Sequence, residues 1–89
     1  MDKSELKEIK RMANDLKPMF NLGKNGLTDS FIENIDKYLD ANNIVKIKAL
    51  VAKDKQEVLE FATEVSSKTN SIIIDKKGFT FTLYKENKN

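Results

Sequence analysis

The hydrophobic periodicity of this chain alternates between helical and strand spacing, and that alternation limits the folds open to it. Leu6, Ile9, Met12, Ala13 and Leu16 recur at helical intervals and predict a helix over Ser4 to Lys17. Asp2 and Glu5 have capping-box spacing, and Pro18 ends the helix by pushing the residue before it out of helical geometry. Met19–Leu22 is a short apolar run and reads as a strand. Thr28 then caps a second helix, with Asp29 in its first turn where the helix dipole favours negative charge. Phe31, Ile32, Ile35, Tyr38 and Leu39 carry it to about Ala41, and Asn42-Asn43 breaks it. In Ile44–Val51, Val45, Ile47, Ala49 and Val51 fall on one strand face, Lys46 and Lys48 on the other. Asp54 and Glu57 repeat the capping-box pattern ahead of Val58, Leu59, Phe61, Ala62 and Val65, a third helix ending near Lys68. Ser71–Asp75 holds Ile72-Ile73-Ile74, a buried-strand signature. Asp75-Lys76-Lys77-Gly78 reads as a tight turn, and Phe79, Phe81 and Leu83 alternate with Thr80, Thr82 and Tyr84 in a last strand. The tail, Lys85–Asn89, is polar and expected to fray.

The order α-β-α-β-α-β-β in 89 residues predicts one domain, 1–89, with its core between about 4 and 85. Two right-handed β-α-β crossovers stepping the same way put their helices on one face of a sheet. The final hairpin then slots the fourth strand, antiparallel, beside the third. The result is an α/β two-layer sandwich with a four-stranded mixed sheet; where the first helix docks is not specified. The expected core is Leu6, Ile9, Leu16, Phe20, Ile35, Leu39, Ile47, Leu59, Phe61, Ile74, Phe81 and Leu83.

The chain has no Cys and no His. This removes disulfides, Cys or His zinc sites, thiol nucleophiles and histidine-based triads. No paired acid–base constellation replaces them, so neither an enzyme nor a cofactor is expected. No apolar run approaches the ~20 residues of a membrane span, and the charged start MDKSELKEIK lacks a signal-peptide core; the expectation is a cytoplasmic monomer. The formal net charge is only +2, but it is unevenly spread. Residues 44–55 carry +3 and 71–89 carry +2, whereas 31–43 and 56–70 each carry −2. Such segregation can build a basic surface on a nearly neutral protein.

The segment with a mechanism is Gly23-Lys24-Asn25-Gly26-Leu27-Thr28, between a strand and a helix start. A helix N-terminus offers unpaired amides and partial positive charge to a phosphate. Two glycines around two residues allow a sharp turn and close approach to the backbone, with Lys24 as a cation at the tip and Asn25 able to hydrogen-bond. A G-x-x-G loop clamps a nucleic-acid backbone in this way. The alternative is that both glycines merely connect strand to helix. Asn25-Gly26 is not a hairpin turn, because helical periodicity follows it, and the spacing is too short for a P-loop.

Lys46 and Lys48, with Thr80, Thr82 and Tyr84, make either an RNA-facing sheet surface or an ordinary solvated face. Lys17 either reaches the same phosphate track or complements the end of the first helix. Arg11 reads as solvated, Lys76 and Lys77 as a polar turn, and Glu57, Glu60, Glu64, Asp36 and Asp40 as solvated helix faces with no metal. Phe31, Phe61, Phe79 and Phe81 fit core spacing better than a stacking platform.

In combination, Leu16-Lys17-Pro18, Leu22–Thr28, Ile44-Val45-Lys46-Ile47-Lys48 and Phe81-Thr82-Leu83-Tyr84-Lys85 resemble the CRM-domain family (chloroplast RNA splicing and ribosome maturation, with YhbY-like bacterial members). The resemblance spans residues 4–85. It implies a fold similar to the C-terminal domain of translation initiation factor three, and RNA binding through Gly23, Lys24, Asn25 and Gly26 with adjacent basic surface. The chain departs from the family in charge, with Arg11 its single arginine. The expected function is binding of RNA, most of all ribosomal RNA of large-subunit precursors, through Gly23, Lys24, Asn25, Gly26, Thr28, Lys17, Lys46 and Lys48. The alternative is a ribosome-associated protein-interaction module without direct RNA contact.

Overall fold

Each helix begins on a side chain that accepts an otherwise orphaned amide. In a computed structural model that describes residues 2–86, Asp2 accepts from Glu5 N at 2.8 Å, Thr28 from Phe31 N at 3.0 Å and Asp54 from Glu57 N at 2.9 Å. The helices they open are α1 (Lys3–Asp15), α2 (Asp29–Asn42) and α3 (Lys55–Thr69). α2 and α3 stop on Asn43 and Asn70, both left-handed, with φ of 71° and 54°. The strands are β1 (Phe20–Leu22), β2 (Ile44–Ala49), β3 (Ile72–Lys77) and β4 (Thr80–Tyr84). The far end of the tail, 87–89, lies outside the described residues.

The sheet order is β1-β2-β4-β3. β1 runs parallel to β2, pairing Phe20 with Ile47 and Leu22 with Ala49. β4 is antiparallel to both neighbours and pairs Ile47 with Phe81 and Ile73 with Leu83. The last strand therefore lies antiparallel beside the third, as expected of the hairpin, and enters between it and the second. α2 and α3 cover one face, where Val45, Ile47, Ala49, Phe81 and Leu83 meet Ile35, Leu39, Val58, Ala62 and Val65 in one buried cluster. α2, α3 and the sheet make the two expected layers, with a four-stranded mixed sheet.

α1 lies against the other face, over β3. Ala13 and Thr82 are buried there, as is Ile74, the extra residue of a β-bulge opposite β4. With a helix on each side, β3 has reason to be apolar on both faces, although it is an edge strand and leaves Ile72 46% exposed. No helix among the described residues is long and apolar enough to cross a membrane.

The core differs from expectation on α3, at the β3–β4 turn, and at five expected core residues that are only partly buried. α3 turns Val58, Ala62, Val65 and Thr69 inward, a strict i, i+4, i+7, i+11 stripe that leaves Leu59 39% exposed. β3 also runs two residues further than its apolar content suggests. The turn is then Gly78-Phe79, with Lys77 and Thr80 paired across it. Gly78 has φ 60° and Phe79 a negative φ, which makes the turn type II′ with glycine at its first central position. Phe79 thus sits at the hairpin tip, 41% exposed, instead of on the core face of β4. Leu6, Ile9, Leu16, Phe20 and Phe61 are half-buried.

Candidate nucleic-acid interface

Parallel strands put the loops that follow them at one edge of the sheet. Here the Gly23–Thr28 loop after β1, the Leu50–Asp54 connection after β2 and the β3–β4 hairpin share that edge. The loop opens with a turn in which Gly26 N donates to Gly23 O at 3.0 Å, followed by Thr28 N to Gly26 O at 3.1 Å. Neither Lys24 nor Asn25 has a positive φ, so the turn is type I. Gly26 has φ 68°, a conformation that disfavours any residue with a Cβ. Gly23 is different. Its φ lies outside the left-handed region, and a Cβ built on it meets nothing within 4 Å. Nothing among the described residues requires glycine at position 23.

Lys24 and Asn25 are exposed, and the amides of Lys24, Asn25 and Leu27 have no acceptor among the described residues. Thr28 takes the amide of Phe31, leaving those of Asp29 and Ser30 facing out of the helix start. Leu22 is fully buried, and Leu27 packs on the main cluster, so the loop is held at both ends. A ring cluster reinforces that hold. Phe20 meets Phe31 edge-on at 6.4 Å between centroids and Tyr38 at 5.4 Å.

Lys48 is exposed on the sheet face away from α2 and α3, in a cross-strand row Asn21–Lys48–Thr80–Lys77. Lys24, Lys48, Lys53, Lys55, Lys76 and Lys77 outnumber Asp29, Asp54 and Glu57 at this edge. Asp54 and Glu57 are also occupied, Asp54 with Glu57 N and Glu57 with Lys53 N at 3.0 Å. Among the described residues, the salt bridges fall elsewhere, on Lys68 and Lys85.

Gly23, Lys24, Asn25, Gly26, Thr28 and Lys48 are thus gathered at one edge, but Lys17 and Lys46 are not with them. Lys17 precedes β1 and lies at the opposite end of that strand from Gly23. Lys46 is half-buried, and its Nζ donates to Ala13 O and Leu16 O, both at 3.1 Å. Its charge caps the C-terminus of α1, whose last turn has no basic residue of its own. Strand alternation puts Lys46 and Lys48 on the same face correctly, but it carries no information that α1 covers half of that face. Asp36 and Asp40 are not merely solvated: Lys85 Nζ reaches them at 3.1 and 2.9 Å. These contacts hold the Lys85 ammonium's pKa above its ordinary value, the bond to Asp40 contributing most. The hairpin lysines, read as a polar turn, share the loop's edge; only the strand order shows it.

The model of the CRS1 / YhbY (CRM) domain matches residues 1–85. This chain belongs to that family. The chain is 33% identical over 82 residues to "Probable RNA-binding protein YqeI" of Bacillus subtilis, covering 90% of this chain and 82% of that one. It is 22% identical over 89 residues to "Probable RNA-binding protein PA4753" of Pseudomonas aeruginosa, covering 98% and 83%. The solution structure of the hypothetical protein SAV1595 from Staphylococcus aureus has the same fold, with a TM-score of 0.83 at 24% identity over 100% of this chain and 92% of that one.

Proposed function

We propose that this CRM domain binds RNA without catalysing a reaction on it, gripping the sugar-phosphate backbone with the Gly23–Gly26 loop and the start of α2. The observation that carries the reading is Gly23. Its backbone conformation and surroundings would accept a side chain, yet the position is bare, beside outward-facing amides and Lys24. A bare position there leaves room for a phosphate to come within hydrogen-bonding distance of the main chain. Lys24 and Lys48 add counterion-release affinity; Lys17 and Lys46 stand apart from this surface. Ribosomal RNA of a large-subunit precursor is the proposed target, on the family resemblance, and the cytoplasm the proposed compartment.

The test is Lys24→Glu, with fluorescence anisotropy against a large-subunit ribosomal RNA fragment and an unrelated structured RNA, each at several salt concentrations. The expected result is weaker binding and a log K against log salt slope shallower by about one to two, with an unchanged melting temperature. An unaltered affinity and slope would refute the loop as the grip. No RNA binding by the unmodified protein would favour a protein-interaction module instead.

A further inference from the structure

The Gly78-Phe79 turn leaves a large aromatic side chain exposed at the edge that carries the loop. A type II′ turn needs glycine at its first central position but sets no demand for an aromatic at the second, so the turn does not explain Phe79. Phe79 lines an open cleft of about 230 Å³ together with Lys48, Ala49, Leu50 and Ala52. Phe79 is 41% exposed and Leu50 58%, so two apolar side chains face water in a setting rich in lysine. The platform is pinned, because Ala49 N donates to Phe79 O at 2.7 Å. Ala49 in turn pairs with Leu22, the residue before Gly23. β1 and β4 are separated by β2 alone, which puts the cleft about 10 Å across the strands from the loop.

An apolar wall beside Lys48 and Lys77 fits a ligand that is flat and apolar on its faces and anionic along one edge. An unpaired nucleobase still attached to its phosphate is such a ligand, and stacking on an aromatic ring suits any of the bases. We infer that the Phe79–Leu50 cleft receives an unpaired nucleobase of the same RNA strand whose backbone crosses the Gly23–Gly26 loop. This rests on the loop reading and adds to it a preference for single-stranded over duplex RNA, because a base must leave its stack to enter the cleft.

The probe is a short single-stranded RNA carrying one 2-aminopurine, compared with the same strand in a duplex. The unmodified protein is expected to bind the single strand more tightly and to quench the 2-aminopurine. Phe79→Ala should weaken single-strand binding roughly 5- to 150-fold and abolish the quench, with the salt slope unchanged because no charge is removed. Phe79→Tyr should retain both affinity and quench, and melting curves of both variants establish that they are folded. If Phe79→Ala binds and quenches like the unmodified protein while Lys24→Glu loses affinity, the cleft is overturned and the loop stands. If Lys24→Glu also binds as before, the loop reading falls with it. Equal affinity for strand and duplex would likewise overturn the cleft.

Discussion

Replacing Gly23 by alanine separates what the fold needs from what a ligand needs. The added methyl has no atom within 4 Å to strike, and the backbone at 23 is outside the left-handed region. The folded state should therefore accept it, while the unfolded chain loses conformational freedom. The expected change is a stabilisation of about 0.4–1 kcal/mol. In a domain of this size, that raises the melting temperature by roughly 2–8 °C. Gly26→Ala is the control: at φ 68° it should lower stability by about 1–2 kcal/mol. RNA binding should move the opposite way at position 23. A methyl there holds a phosphate away from the loop amides, and each charge-assisted hydrogen bond lost costs about 1.5–3 kcal/mol, a roughly ten- to hundred-fold weaker complex. Thermal unfolding by circular dichroism and anisotropy with a large-subunit ribosomal RNA fragment read the two effects on one sample. A Gly23→Ala protein that is more stable and binds RNA as before would show that no phosphate approaches this glycine.

Two further perturbations probe the frame. Lys46→Met should destabilise the domain by about 1–3 kcal/mol, measured by urea unfolding, because the carbonyls of Ala13 and of Leu16, the residue that ends α1, lose a charged donor; a change within a few tenths would mean α1 docks without it. Lys85 has its pKa raised by Asp40 and Asp36, so its contribution is complete below the ordinary lysine pKa of about 10.5 and declines as pH rises through the higher folded value. Stability followed from pH 9 to 12 (about one and a half units either side of the ordinary lysine pKa) should fall less steeply for Lys85→Met than for the unmodified chain. The difference should be no more than about 1 kcal/mol for so exposed a triad, and parallel curves would refute the assignment.

Local signals in the sequence reach local structure reliably. The caps at Asp2, Thr28 and Asp54 are visible as residue types at fixed spacing, and their bonds are present at 2.8 to 3.0 Å. The face alternation of β2 and the glycine turn ahead of α2 are legible for the same reason. What stays hidden depends on contacts between distant segments. α1 covers half of one sheet face, so Lys46 turns inward while Lys48 stays exposed, and alternation treats the two alike. A turn displaced along the hairpin takes Phe79 out of the pattern shared by Phe81 and Leu83. Leu59 and Val58 are neighbours in sequence, and only the rotation of α3 against the sheet decides which is buried.

The trio of Phe20, Phe31 and Tyr38 gives the loop an unusual dependency. β1 is a three-residue edge strand, so ladder bonds alone hold that end of the loop loosely. Its bearing is the edge-on rings, one from the strand before the loop and two from the helix after it. Tyr38 lies ten positions beyond Thr28, about 15 Å along α2, yet a smaller side chain there would let the loop drift. Far-off wear at that hinge pin would register as a slackened hold on the polyanion, with every lysine and glycine of the loop itself untouched.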